Sequence, residues 1–159
     1  MEKLTKSMLI KLLKKIDRKA QEETLKSINH LPEYYLNVKL SDELYKLGYG
    51  FEIEKPAREI AVELDIDLEN IEFDNNEIEN RVLSGRIDLV VTTQKKRSLR
   101  NLIELKVGTK VSKLKLDIDR LTWFSHLSQK RSIQRSFLIF STFRSEINSL
   151  NSLKEFYKD

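Results

Sequence analysis

Between Gly85 and Val107 the chain reads GRIDLVVTTQKKRSLRNLIELKV, two aliphatic runs on either side of a short basic stretch. Runs rich in Ile, Val and Leu favour strands, and the polar TTQKKRSL between them suits a turn. A pair of strands joined in this way is a hairpin, which points to a sheet at the centre of the fold. One residue disturbs the first run. Asp88 interrupts IDLVV, where an unpaired carboxylate would be costly.

The flanking segments supply the other elements. Leu9, Leu12, Leu13 and Ile16 recur at helical spacing and predict a helix over Leu4–Ala20. Pro32 suits a first helical turn, where its missing N–H would be unpaired anyway, and Gly48 suits a C-terminal cap. A second helix is therefore expected over Glu33–Leu47. In GYGFEIEKPA, Phe51 and Ile53 alternate with Glu52 and Glu54, a strand stopped near Pro56. Ile60, Val62, Leu64, Ile66 and Leu68 recur every second residue, which favours a further strand with one acidic face. Asp74-Asn75-Asn76 reads as a turn. The hairpin strands run over about Val82–Thr92 and Asn101–Val107. A third helix over Lys113–Gln129, a buried strand over Ser136–Thr142 and a final helix over Ser145–Lys158 complete the order. This order implies one domain over residues 1–159, an α/β or α+β sandwich with a central mixed β-sheet flanked by helices. Its parts are an N-terminal helical extension (1–30), a core over about 32–142 and the C-terminal helix (145–158).

Composition narrows the chemistry. A chain of 159 residues with 40% hydrophobic side chains can bury one core. No run approaches the ~18 apolar residues of a membrane span. The opening MEKLTKSMLIKLLKKIDRKA lacks the apolar centre and cleavage site of a signal peptide, so the cytoplasm is the expected compartment. There is no cysteine, and His30 and His126 are the two histidines, which leaves no basis for disulfides, thiolate metal sites or a histidine-rich zinc site. Residues 59–80 carry nine acids and no Lys or Arg, which leaves 29 bases against 25 − 9 = 16 acids in the remainder. A basic body attracts a polyanion, nucleic acid being the usual one, and a solvated Lys-rich surface has the same composition.

Side chains two apart on a strand point the same way, so Glu104 and Lys106 share a face. Asp88, from the preceding strand, can lie across from them. Paired carboxylates are hard ligands suited to Mg²⁺ or Mn²⁺, and a neighbouring lysine can position a water or stabilise added negative charge. The tripeptide alone is also what any half-exposed strand looks like, and Asp88 is what adds to it. Glu43 falls within the apolar stripe of Leu36, Leu40 and Leu47, where a carboxylate calls for a partner. That partner is either a lysine, or a metal or metal-bound water. In the third helix Asp117 borders the stripe of Leu114, Ile118 and Leu121, with Lys113 and Arg120 beside it. These are either local ion pairs or groups flanking the site. Trp123 and Leu116 lie on the opposite face, as a second buried layer or a partner contact.

A helix with Glu, a strand ending in Glu-Lys-Pro, then GRIDLVV, IELKV, a helix and a buried strand resemble the PD-(D/E)XK nuclease superfamily, with its restriction-endonuclease-like fold. The resemblance covers about Pro32–Thr142. Asp88 matches the motif Asp, Glu104-Leu105-Lys106 matches E-x-K, and their separation is 104 − 88 = 16 positions. Ile87 stands where Pro is frequent, and Asp117 and Arg120 stand where many members carry a Gln. The resemblance implies a Mg²⁺- or Mn²⁺-dependent nuclease with Asp88, Glu104 and Glu43 on the metal. Lys106 would act on the attacking water, and Asp117 and Arg120 would flank the site. Lys95, Lys96, Arg97, Arg100, Lys110, Lys113 and Lys115 would hold the phosphate backbone. DNA is preferred over RNA as the polymer. A homodimer or a protein partner would supply specificity. The alternative is a nuclease-fold module that no longer cuts and binds nucleic acid or a protein.

Overall fold

The computed structural model of the chain describes residues 2–68, 81–107, 114–128 and 133–141. The expected turn at residues 74–76, the C-terminal helix over 145–158, and Lys110 and Lys113 lie outside the described residues.

Thr5 starts the first helix, α1 (Lys6–Thr24), its hydroxyl accepting from the Met8 N–H at 3.2 Å. Leu9, Leu12, Ile16 and Ala20 form the buried stripe of α1. Pro32 precedes α2 (Glu33–Lys46), and Gly48 follows it with a left-handed φ of 87°. Strand β1 (Tyr49–Pro56) leads directly into a short helix, α3 (Ala57–Glu63).

That helix corrects the strand expected from the alternation of Ile60, Val62 and Leu64. Pro56 holds φ at −56°, suited to entering a helix. Ala57, Ile60, Ala61 and Leu64 then recur at helical spacing, and all four are buried. Val62, needed on the inner face of a strand, is 71% exposed.

Residues 81–83 are also helical, so β2 (Arg86–Thr93) begins four residues later than its apolar pattern suggested. It pairs antiparallel with β1 and with β3 (Leu99–Lys106). A helix, α4 (Lys115–Leu127), precedes β4 (Arg135–Phe140), which lies parallel to β3. The sheet order is β1-β2-β3-β4. Residues 136–140 are half-buried rather than buried, as suits a strand paired on one side among the described residues.

The two faces of the mixed sheet carry two cores. Leu89, Val91, Ile103 and Leu105 meet α1 and α2, while Ile87, Val90 and Leu102 meet α3 and α4. Trp123 packs on the second core and edge-on against Phe124, as a buried layer would, whereas Leu116 is exposed. The assignments of Ile87 and Leu89 show that β2 loses strict alternation near Asp88. The opposing strand explains this. Glu54 of β1, between the pairs Ile53–Leu89 and Lys55–Ile87, takes a left-handed φ of 51°, which costs about 1 kcal/mol or more. No helix among the described residues is long and apolar enough to cross a membrane.

Candidate active site at the open end of the hairpin

The last paired residues of β2 and β3 on this side are Leu89 and Ile103. Beyond them the strands part, and the Leu105 N–H finds its acceptor in the Asp88 side chain, with Oδ2 at 2.7 Å. This bond answers the cost of a carboxylate in an apolar strand and aims Asp88 across at β3. Asn37 of α2 holds the same residue from behind, donating to the Asp88 carbonyl at 2.9 Å.

Lys106, at the end of β3, lies 3.4 Å from Asp88 Oδ2. Its ammonium also donates to the Leu105 carbonyl at 2.9 Å and to Glu33 Oε1 at 3.1 Å. Glu33 Oε2 accepts from the Val107 N–H at 3.3 Å, so one carboxylate holds both the lysine and the strand end. Burial pulls the Lys106 ammonium toward neutrality, but Asp88, Asp117 and Glu33 more than offset this and raise its pKa. These acids favour the charged form of Lys106.

Glu104 is 1% exposed and points to the α4 side. Arg120 donates to its Oε1 at 2.8 Å, to the Arg86 carbonyl at 3.0 Å and to the Val82 carbonyl at 3.2 Å. The guanidinium lies flat against Gly85, where an added Cβ would sit 2.2 Å from Arg120 Nη2. This close approach accounts for the glycine before IDLVV. Burial, the Asp88 charge and a hydrogen bond to Asp88, and Asp117 push Glu104 up to about 9 against the pull of Arg120. Burial also raises Asp117, whose Oδ1 is 3.6 Å from Arg120 and whose Oδ2 is 3.9 Å from Lys106. Asp117 Oδ2 is buried and makes no hydrogen bond among the described residues.

Among the described residues, four acids (Glu33, Asp88, Glu104, Asp117) thus share one end of the sheet with two bases (Lys106, Arg120). No group of three or more acidic or histidine side chains among the described residues is arranged to hold a metal ion. The donor set that fits a hard cation is the adjacent pair Asp88 and Glu104. Mg²⁺ is commonly held by one or two carboxylates, with water and phosphate completing its shell. The crowding of acids and the unbonded Asp117 oxygen agree with that chemistry. Crowded carboxylates also destabilise a protein, so Glu104→Gln, which keeps the oxygen facing Arg120, is expected to raise the melting temperature in chelator at neutral pH. An unchanged or lower melting temperature by calorimetry would count against that crowding.

Several expected site residues lie elsewhere. Glu43 forms ion pairs with Lys15, Lys19 and Lys46 between α1 and α2. It lies ten residues beyond Glu33, roughly 15 Å along the helix. The lysine partner is therefore the one realised, and the helical carboxylate in the site is Glu33. Contact with Lys15 above all, then Lys46, lowers Glu43 to about 2. Its folded pKa lies below the ordinary 4.5, so its contribution to stability is full above that value. The contribution is lost as pH falls toward 2. Glu43→Gln should therefore flatten the acid limb of a stability–pH profile between those values. An acid limb identical to wild type would exclude this role.

The basic turn is also displaced. Lys95, Lys96 and Arg97 sit in the exposed turn that closes the hairpin, and Asp88 sits where it opens. Gln94 lies six residues along the chain from Asp88, about 20 Å in extended backbone. These three bases cannot hold the phosphate beside Asp88, and Arg100 is half-buried in β3. Lys115 begins α4 two residues before Asp117. Glu33 was missed because a Glu after Pro32 reads only as a helix start. Asn37, a buried polar residue beside Leu36, carried the better signal.

Comparison with family models, with curated proteins and with solved structures gives no match.

Proposed function

We propose that this chain is a divalent-cation-dependent nuclease that hydrolyses phosphodiester bonds in DNA, as a member of the PD-(D/E)XK superfamily. The observation that carries the reading is the meeting of Asp88, Glu104 and Lys106 where β2 and β3 part.

Asp88 and Glu104 would hold Mg²⁺ or Mn²⁺. When bound there, the cation supplies an acidified water and offsets negative charge building on the phosphate. The chain's own residues do the positioning. The Leu105 N–H fixes the Asp88 carboxylate, and Arg120 fixes that of Glu104. Glu33 and the Leu105 carbonyl hold the Lys106 ammonium beside Asp88, where it can orient the attacking water or a phosphate oxygen. As an ammonium, Lys106 would act electrostatically, stabilising negative charge on the water or the phosphate.

The test is digestion of plasmid, linear duplex, single-stranded DNA and RNA with Mg²⁺, Mn²⁺ or chelator, beside Asp88→Ala. Cation-dependent cutting of DNA by wild type alone is expected. Inert wild type on every substrate, or equal cutting by Asp88→Ala, refutes the reading. A second reading is a module of this fold that binds without cutting. The saturation of Lys106 by acids favours it, and binding of DNA without cleavage under any cation would select it.

A further inference from the structure

At the closed end of the hairpin a pocket of about 510 Å³ opens between the end of α2, the start of β1 and the β2–β3 turn. We infer that this pocket binds single-stranded nucleic acid, with a nucleobase on Tyr45 and its phosphate on Lys95 and Arg97. The inference extends the nucleic-acid part of the reading above and does not require hydrolysis.

Three observations support it. Tyr45 is 60% exposed although its ring is anchored edge-on to Phe51, with centroids 6.4 Å apart. An oriented, solvent-facing ring at a pocket wall is what base stacking uses, and stacking needs an unpaired base. The backbone of the turn that carries the bases is also preorganised. The Thr93 N–H bonds the Ser98 carbonyl and the Arg97 N–H bonds the Thr93 carbonyl, both at 2.9 Å. Arg97 is held at a φ of 48°, a conformation that a non-glycine residue keeps only when its surroundings enforce it. Gln94 links the turn to the aromatic wall, donating to the Tyr45 carbonyl at 3.2 Å. Finally, Glu52, the one acid among the described residues that line the pocket, is committed to the buried Lys55 at 3.1 Å and does not pair with Lys95 or Arg97. Chemistry that supplies a flat aromatic and an anion together is that of a nucleotide. A double helix would offer this concave site no free base face.

About 20 Å from Asp88, the pocket would hold a strand several nucleotides from the scissile bond. The test is fluorescence anisotropy in chelator with a fluorescein-labelled oligothymidylate of about eight nucleotides. Wild type, Tyr45→Ala, Tyr45→Phe and Lys95→Ala are compared, with folding checked by circular dichroism. Tyr45→Ala should weaken binding about five-fold or more, while Tyr45→Phe should not. Lys95→Ala should lower the slope of log affinity against log salt by about 0.7. Equal binding by wild type and Tyr45→Ala overturns the proposal. So does duplex binding as tightly as single strand, or full competition by polyglutamate, since either would show a generic basic surface. Chelator removes cutting, so the two readings fail separately. Loss of the Tyr45 effect with cleavage intact rejects the pocket alone, and the reverse rejects the nuclease alone.

Discussion

In the proposed nuclease, Lys106→Ala is expected to leave the protein folded and to slow DNA cleavage at least ~100-fold, the usual cost of removing one preorganised charge aimed at a developing anion. Several parts of the fold converge on this one ammonium. Lys106 is bonded to Glu33 and the Leu105 carbonyl and lies beside Asp88, with Asp117 slightly farther away. Its side chain remains 24% exposed, so it is reachable by a substrate and its loss opens no deep cavity. Lys106→Arg should recover little, because a planar guanidinium cannot meet the same three oxygens as a compact ammonium. Glu33→Gln should have a smaller effect in the same direction, since it loosens the lysine without removing it. Initial rates under saturating Mg²⁺, with circular dichroism on each variant, check the series. Lys106→Ala cutting at the wild-type rate would remove this residue from the mechanism.

Arg120→Ala should destabilise the protein by about 3–5 kcal/mol, because it strands a buried acid and two carbonyl groups at once. Arg120 joins Glu104 to the Val82 and Arg86 carbonyls and fills the space against Gly85. Breaking a buried pair from one side costs far more than replacing both partners with apolar groups. The double variant Arg120→Met with Glu104→Leu should therefore regain much of the stability lost by Arg120→Ala. Urea denaturation of the three proteins decides it. If the double variant is no more stable than Arg120→Ala, the ion pair itself supports the fold. If stability returns, its purpose is to hold Glu104 in place.

Much of the fold was legible in the chain. The helices α1 and α2 and the hairpin follow from clear periods, 3.6 and 2, closed by Thr5, Gly48 and a polar turn. Residues 60–64 were misread because Ile-Ala-Val-Glu-Leu satisfies both periods. Only a core on one side separates buried Ala61 from exposed Val62. Glu43 was misplaced for a related reason. Helical phase says which side of α2 it takes but not what stands there, and α1 brings Lys15 and Lys19 to it beside Lys46 of α2 itself.

The sequence by itself determined that a sheet would form around Gly85–Val107, and that Asp88, Glu104 and Lys106 would lie on neighbouring strands. Local propensity and alternation act over a few residues and need no knowledge of the remainder. Tertiary structure decided which distant groups meet them. Glu33 reaches Lys106 across 73 positions, Arg120 reaches Glu104 across 16, and Glu54 bends β1 opposite Asp88. Those contacts arise from how helices pack on a twisted sheet and where two strands cease to pair. The same packing put the basic turn at the far end of the hairpin from the acids, since a hairpin closes at one end and opens at the other.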